Sequence, residues 1–340
     1  MTTFEFFKRT AIVVLVLLVP LLTWFLFDVV LITVGSILIA VLLRLVSEPF
    51  TRWCKFPEGI ALIISGLIII GAFGGAAYLF GTQIQSELQD VLSRADAGVK
   101  KITEVLQASE LGKLTLSQFQ GGSFSITSLA SNAFSVSLNF LEALVITLIA
   151  GFYFAAEPDL YRSGLDRFFP KPLRDEVDET TRDIAIALRL WLIGQLIEML
   201  VIGILSTLAV WLIGLPSPLA LGVIAGVAEF IPFLGPIIAS IPAILVATTN
   251  GLDSALWTVA AYLLIHQLDS EFISPMIQRK MVYIPPAVML LGIVAISSAF
   301  GRAALVFAAP MVVIIFVMVN KLYLRETLGE PVALPGEDPI

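Results

Sequence analysis

The chain has 340 residues, 58% of them hydrophobic and 14% charged, with a formal net charge of −7 and a mean hydropathy of +0.96. Soluble domains carry about a quarter charged residues, so a single compact soluble domain is excluded and a polytopic membrane protein is indicated. The negative balance argues against a nucleic-acid partner, and a single cysteine, Cys54, excludes an intrachain disulfide or a thiolate metal cluster.

The first apolar run follows Lys8 and Arg9 but is far longer than a signal-peptide core, so it reads as retained membrane structure. Asp28 divides it into residues 10–27 and 29–43, which suggests a tight hairpin with both ends cytoplasmic, since Arg44, Arg52 and Lys55 follow. Residues 59–80 form the next span, with Gly66, Gly71, Gly74 and Gly75 permitting close helix approach. These elements make up a first unit, residues 1–82.

Residues 83–131 are extracytoplasmic in this reading. Ile84, Leu88, Val91, Leu92, Ala95, Val99, Ile102 and Leu106 recur at helical spacing, giving an amphipathic helix that serves as a solvated cap or a contact between subunits. Residues 132–216 hold two further spans, 132–156 and 190–214, around a cytoplasmic segment at 157–189. Glu142 and Glu198 place charge within these spans, either as functional groups or as contacts between helices. Arg189 is expected to snorkel to the cytoplasmic interface.

Residues 217–325 form the block of greatest interest. Glu229, Pro232, Gly235 and Pro236 interrupt an apolar run, so the segments on either side make a broken hairpin over 217–249. Broken helices are tolerated in a bilayer only where protein buries them or a cavity is lined by them. Glu229 is the leading ion or proton site, with capping of freed backbone donors as its structural alternative. Pro236 falls in the first turn of the returning helix, whose exposed donors favour oxygen-rich ligands. A span at 255–268 follows, carrying His266, Gln267 and Asp269 at its end, and a helical spacing of three allows a proton relay from His266 to Asp269. Arg279 and Lys280 mark the cytoplasmic side. A second hairpin, 285–320, has Ser298, Gly301 and Arg302 at its apex, with Lys321 and Arg325 at its cytoplasmic end. The two hairpins are expected to open to opposite faces, a pattern that points to a transport site near the midplane. Residues 326–340 form an acidic tail.

The run Ala225-Gly226-Val227-Ala228-Glu229-Phe230-Ile231-Pro232-Phe233-Leu234-Gly235-Pro236, followed by Pro242, resembles the autoinducer-2 exporter (AI-2E) transporters. Gln267-Leu268-Asp269, Phe300-Gly301 and Ala309-Pro310 extend the resemblance over most of the chain. Asp269 stands where that family usually has Glu, and His266 where Gln is common. The resemblance implies an inner-membrane protein of bacteria or archaea that exports a small solute such as autoinducer-2 by alternating access, with H+ or Na+ as coupling ion, some members being sodium/proton antiporters, and assembled as a homo-oligomer, a pentamer by analogy. The alternative functions are sodium/proton antiport without organic cargo and a non-transporting scaffold or channel-like assembly.

The expected architecture is therefore all-α, with about six ordinary spans, two opposed hairpins and cytoplasmic termini. Candidate ligand residues are Glu229, Pro232, Gly235, Pro236, Gln267, Asp269, Ser298 and Arg302, with Gly226, Pro242, Gly301 and Pro310 shaping the hairpins. Expected partners are membrane lipid and a small-molecule solute. No catalytic residue, metal or cofactor is expected beyond a coupling ion. One His excludes the paired-His zinc motif, and no phosphate loop or G-x-S-x-G elbow is present. A Ser65 or Ser298 hydrolase using His266 is the remaining enzyme reading, and no spacing favours it.

Overall fold

A computed structural model describes residues 26–71, 93–94, 97, 138–278, 284–301 and 303–335, with backbone alone at 138–142 and 278. The amphipathic segment at 83–131, Arg279, Lys280, Arg302 and the first half of the initial apolar run lie outside the described residues, apart from three isolated positions. Among the described residues every regular element is a helix.

Helix α1 spans Phe27–Arg52, with Asp28 in its first turn. A carboxylate favours the positive end of a helix dipole, which accounts for a helix starting where Asp28 divides the apolar run. This helix does not stop at residue 43 but continues through Arg44 and Pro49. Helix α2, Glu58–Gly71, follows. Helix α3, Leu138–Ala156, ends at the boundary expected from the sequence. There the chain bends by 89° into α4, Pro158–Asp166.

Helix α5, Arg174–Ile213, merges two elements that the sequence separates. The expected cytoplasmic segment and the span after it are one 40-residue helix, about 60 Å long at 1.5 Å per residue. Its charged N-terminal portion contains no Pro or Gly to break it, so the helix simply projects beyond the apolar zone. Gly214, at φ +77°, terminates it.

Helices α6, Pro218–Ala228, and α7, Gly235–Asn250, flank the break at Glu229 and the prolines. Helix α8 spans Leu252–Leu268 and passes into a π turn, Asp269–Ile273, then α9, Ser274–Gln278. Helices α10, Pro286–Phe300, and α11, Ala304–Met318, form the second apolar pair, continued by a π turn at Val319–Arg325. Gly301 joins them at φ +87° with its N–H donating to the Ser297 carbonyl at 2.9 Å, a backbone state that glycine adopts freely.

Three helical segments among the described residues are individually long and apolar enough to cross a bilayer: α1, Lys171–Ile213 and Ala304–Arg325. The bent α3–α4 pair raises this to four. The expectation of about six ordinary spans is thus met only in part. Glu58–Gly71, Pro218–Ala228, Gly235–Asn250 and Pro286–Phe300 are apolar but shorter than a full crossing. Exposed large side chains such as Leu200, Ile204, Leu208 and Leu212 stripe the outer face of α5, where lipid rather than protein would cover them.

Two apolar clusters organise the interior. One joins α1, the first half of α5, α10 and α11 through Leu31, Leu188, Leu192, Ile293 and Val313. Phe27 stacks on Phe300 at 3.8 Å between ring centroids, tying the start of α1 to the end of α10. The other joins the second half of α5 to α6, α7 and α8 through Val210, Leu221, Val246 and Tyr262. Phe230 and Phe233 pack against the first cluster and Ala228 against the second, so the helix break lies at their junction.

Charged contacts define one end of the bundle. Arg44 Nε donates to the Ala155 carbonyl at 2.9 Å, and Lys321 Nζ donates to Asp183 at 2.7 Å and Glu179 at 3.2 Å. Arg189 pairs with Glu48. The ends of α1, α3 and α11 and the charged part of α5 therefore share a level, as the distribution of Lys and Arg in the sequence requires.

Candidate functional site

The break between α6 and α7 is built from satisfied backbone. The amides of Glu229, Phe230, Ile231, Leu234 and Gly235 each donate to a nearby carbonyl at 2.8 to 3.2 Å. The Glu229 side chain is therefore not consumed in capping them. Its Oε2 atom is buried and has no hydrogen-bond partner, although the residue is only 3% exposed. Phe233 adopts φ +66°, a costly conformation for a bulky residue, and turns its ring toward the first apolar cluster.

Gly235 explains how the two limbs come so close. A Cβ at this position would lie 2.6 Å from the Ala228 carbonyl oxygen and 2.6 Å from Glu229 Cα. Gln195 on α5 fixes the break from the other side, its Nε2 donating to the Glu229 carbonyl at 2.7 Å. Trp191, one turn earlier, meets Phe230 edge to face at 5.9 Å.

These elements enclose a cavity of about 210 Å³. Its wall carries Glu229, Pro232, Phe233 and Pro236 from the break, Trp191, Gln195 and Glu198 from α5, and His266 and Asp269 from the end of α8. Ser270, Ser274, Pro286 and Met289 complete much of the remainder. The three carboxylates of Glu198, Glu229 and Asp269 interact electrostatically, and Glu198 hydrogen-bonds with Ser274. Asp269 is 8% exposed, and its Oδ1, like His266 Nδ1, is buried without a partner. Glu198 lies nine residues beyond Arg189, about 13 Å along the helix axis, so a charged bundle end at the interface puts the cavity near mid-bilayer.

The structure thus brings together Glu229, Pro232, Pro236, His266 and Asp269, with Gly235 behind the wall. Gln267 and Ser298 are exposed and line no part of this cavity; Gln267 Nε2 donates to Glu271 at 3.2 Å, and Ser298 Oγ to the Ala295 carbonyl at 3.0 Å. Arg302 lies outside the described residues. Gly226 faces α5, where an added Cβ would lie 2.7 Å from the Met199 carbonyl oxygen. Pro242 is inside α7, and Pro310 is buried inside α11. Neither Ser65, which donates to the Ala61 carbonyl, nor Ser298 lines the cavity that holds His266.

Glu198 was visible in the sequence only as one of several intramembrane charges, and Gln195 and Trp191 carried no functional signal beyond their family-like surroundings. All three lie on α5, on turns that face the break. Among the described residues, no three His, Cys, Asp or Glu side chains are grouped to hold a metal ion.

Comparison with known proteins identifies the family. A family model described as "AI-2E family transporter" matches residues 11–324. "Putative transport protein YrrI" of Bacillus subtilis is 30% identical over 179 residues, covering 53% of this chain and 50% of that protein. "Putative transport protein YueF" of the same organism is 23% identical over 326 residues, covering 88% of each chain. A "Putative transport protein" of Thermotoga maritima is 22% identical over 279 residues, covering 81% of this chain and 85% of that protein. With the match running through the helix break and the cavity that surrounds it, the chain belongs to the AI-2E family of transporters.

Proposed function

We propose that the protein is a secondary transporter that moves a small polar solute outward through the cavity at the α6–α7 break, by alternating access and with coupling to a proton or sodium ion. The observation that carries this reading is the unpartnered Glu229 carboxylate, buried at a helix break on a cavity wall. A buried intramembrane carboxylate is costly unless a proton, a cation or water meets it, and broken helices hold such sites in other transporters. Asp269 and Glu198 supply further acceptors in the same cavity. In this reading the charged bundle end faces the cytoplasm of a bacterial or archaeal cell, both termini lie on that side, and copies associate in the inner membrane, with a pentamer as the reference state. Autoinducer-2, the solute from which the family takes its name, is the reference cargo.

A second reading, sodium/proton antiport without organic cargo, is favoured by the concentration of carboxylates. Sealed proteoliposomes separate the two. Uptake of labelled autoinducer-2 that is lost in Glu229→Gln supports solute transport; sodium-dependent proton flux without solute movement selects antiport. Neither flux in the parent protein contradicts both readings.

A further inference from the structure

We infer that the cavity selects a small organic cation, an amine or quaternary ammonium compound, as its cargo. The inference rests on the transport reading and replaces its reference cargo, since autoinducer-2 carries no positive charge. Glu198 from α5, Glu229 from the break and Asp269 from the π turn face one space, with His266 the other titratable group on its wall. None of the described lining residues is Lys or Arg. Glu229 and Asp269 each hold a buried carboxylate oxygen with no protein partner. Two of the three acids thus present unsatisfied acceptors, and wherever the acids are ionised they favour a positively charged guest, because uncompensated buried charge is heavily penalised.

The rest of the wall fits an organic cation better than a bare ion. No grouping of His, Cys, Asp or Glu among the described residues has metal-binding geometry, so a dehydrated metal would lack its ligand shell. Trp191 and Phe233 bring aromatic surface to the same space, and aromatic faces attract ammonium groups. Pro232, Pro236, Pro286 and Met289 add apolar surface for alkyl groups. At about 30 Å³ per water, 210 Å³ corresponds to about seven waters, a size that suits a small cation such as choline.

The test uses the full chain in sealed proteoliposomes with labelled choline and methylammonium. The neutral competitor is 3,3-dimethylbutan-1-ol, in which carbon replaces the choline nitrogen; the anionic one is 3,3-dimethylbutanoate. Saturable uptake of choline or methylammonium is expected, with little competition from either analogue. Apparent affinity should fall about tenfold in Glu198→Gln and in Glu229→Gln, equivalent to about 1.4 kcal/mol. Glu229→Asp, which keeps the charge, should recover most of it, and elution at the parent's size shows that each variant folds. Equal competition by the neutral analogue, full blockade by sodium with neither cation transported, or no uptake of either cation would overturn the inference. Glu229-dependent uptake of the anion would overturn it while leaving the transport reading standing; failure of autoinducer-2 and of every probe to move would end both.

Discussion

Replacing Gly235 by alanine should disable the cavity while leaving the protein folded. The added Cβ would meet two backbone atoms at 2.6 Å, the Ala228 carbonyl oxygen and Glu229 Cα. Ordinary contact begins at 3.4 Å, so the break must open by about 0.8 Å. No side-chain rotation relieves the clash, because both obstacles are main chain. Overpacking of this kind costs about 1–3 kcal/mol, and here the strain falls on the segment that carries the Glu229 carboxylate. The Gln195 hydrogen bond to the Glu229 carbonyl, 2.7 Å long, resists the movement from the opposite side. Thermal unfolding in detergent should show a modest loss of stability, and uptake by proteoliposomes should fall about tenfold, at the low end of that energy range. Parent-like unfolding together with parent-like uptake would refute the close approach at the break and the cavity geometry derived from it.

Gln195→Leu should strand the buried Glu229 carbonyl and cost about 1–3 kcal/mol, read as a lower unfolding temperature with reduced uptake. Lys321→Met should destabilise the bundle end by about 1–3 kcal/mol, less than a fully buried pair would lose, because Glu179 keeps 67% side-chain exposure; a salt-insensitive, unchanged melt would contradict it. Gln267→Ala and Ser298→Ala should leave uptake within about twofold of the parent, since exposed substitutions away from special contacts are nearly neutral. A large loss in either would place a second functional surface outside the cavity.

Much of this site is legible in the chain because prolines and glycines act locally. Pro232, Gly235 and Pro236 fall within five residues and together disfavour a continuous helix there, while Pro236 suits the first turn of the returning helix, so the break and its flanking helices follow from nearest neighbours. The α10–α11 pair is equally legible, bounded by Pro285 and Gly301. Helix α5 is not, because polarity marks where a helix leaves the apolar zone and not where it ends; without Pro or Gly between Arg174 and Leu192, hydrogen bonding continues through the change. Gln267 and Ser298 lie in the right segments but on outward faces. Local spacing around a π turn, which adds a residue to its hydrogen-bonded loop, gives poor guidance to facing. Glu198 and Gln195 reach the site through a contact between elements distant in sequence, which no local pattern encodes.

Alternating access predicts that the cavity beside Glu229 opens in turn to each side of the membrane, and site-specific labelling reads this. Cys54 is the only cysteine and is exposed, so Cys54→Ser provides a cysteine-free background. Ser270, which lines the cavity, can then carry a single reporter as Ser270→Cys. In vesicles of known orientation, a membrane-impermeant thiol reagent should label this position from either face, and a transported solute should change the balance between faces. Labelling confined to one face, unaltered by solute or by Glu229→Gln, would contradict alternating access at this site.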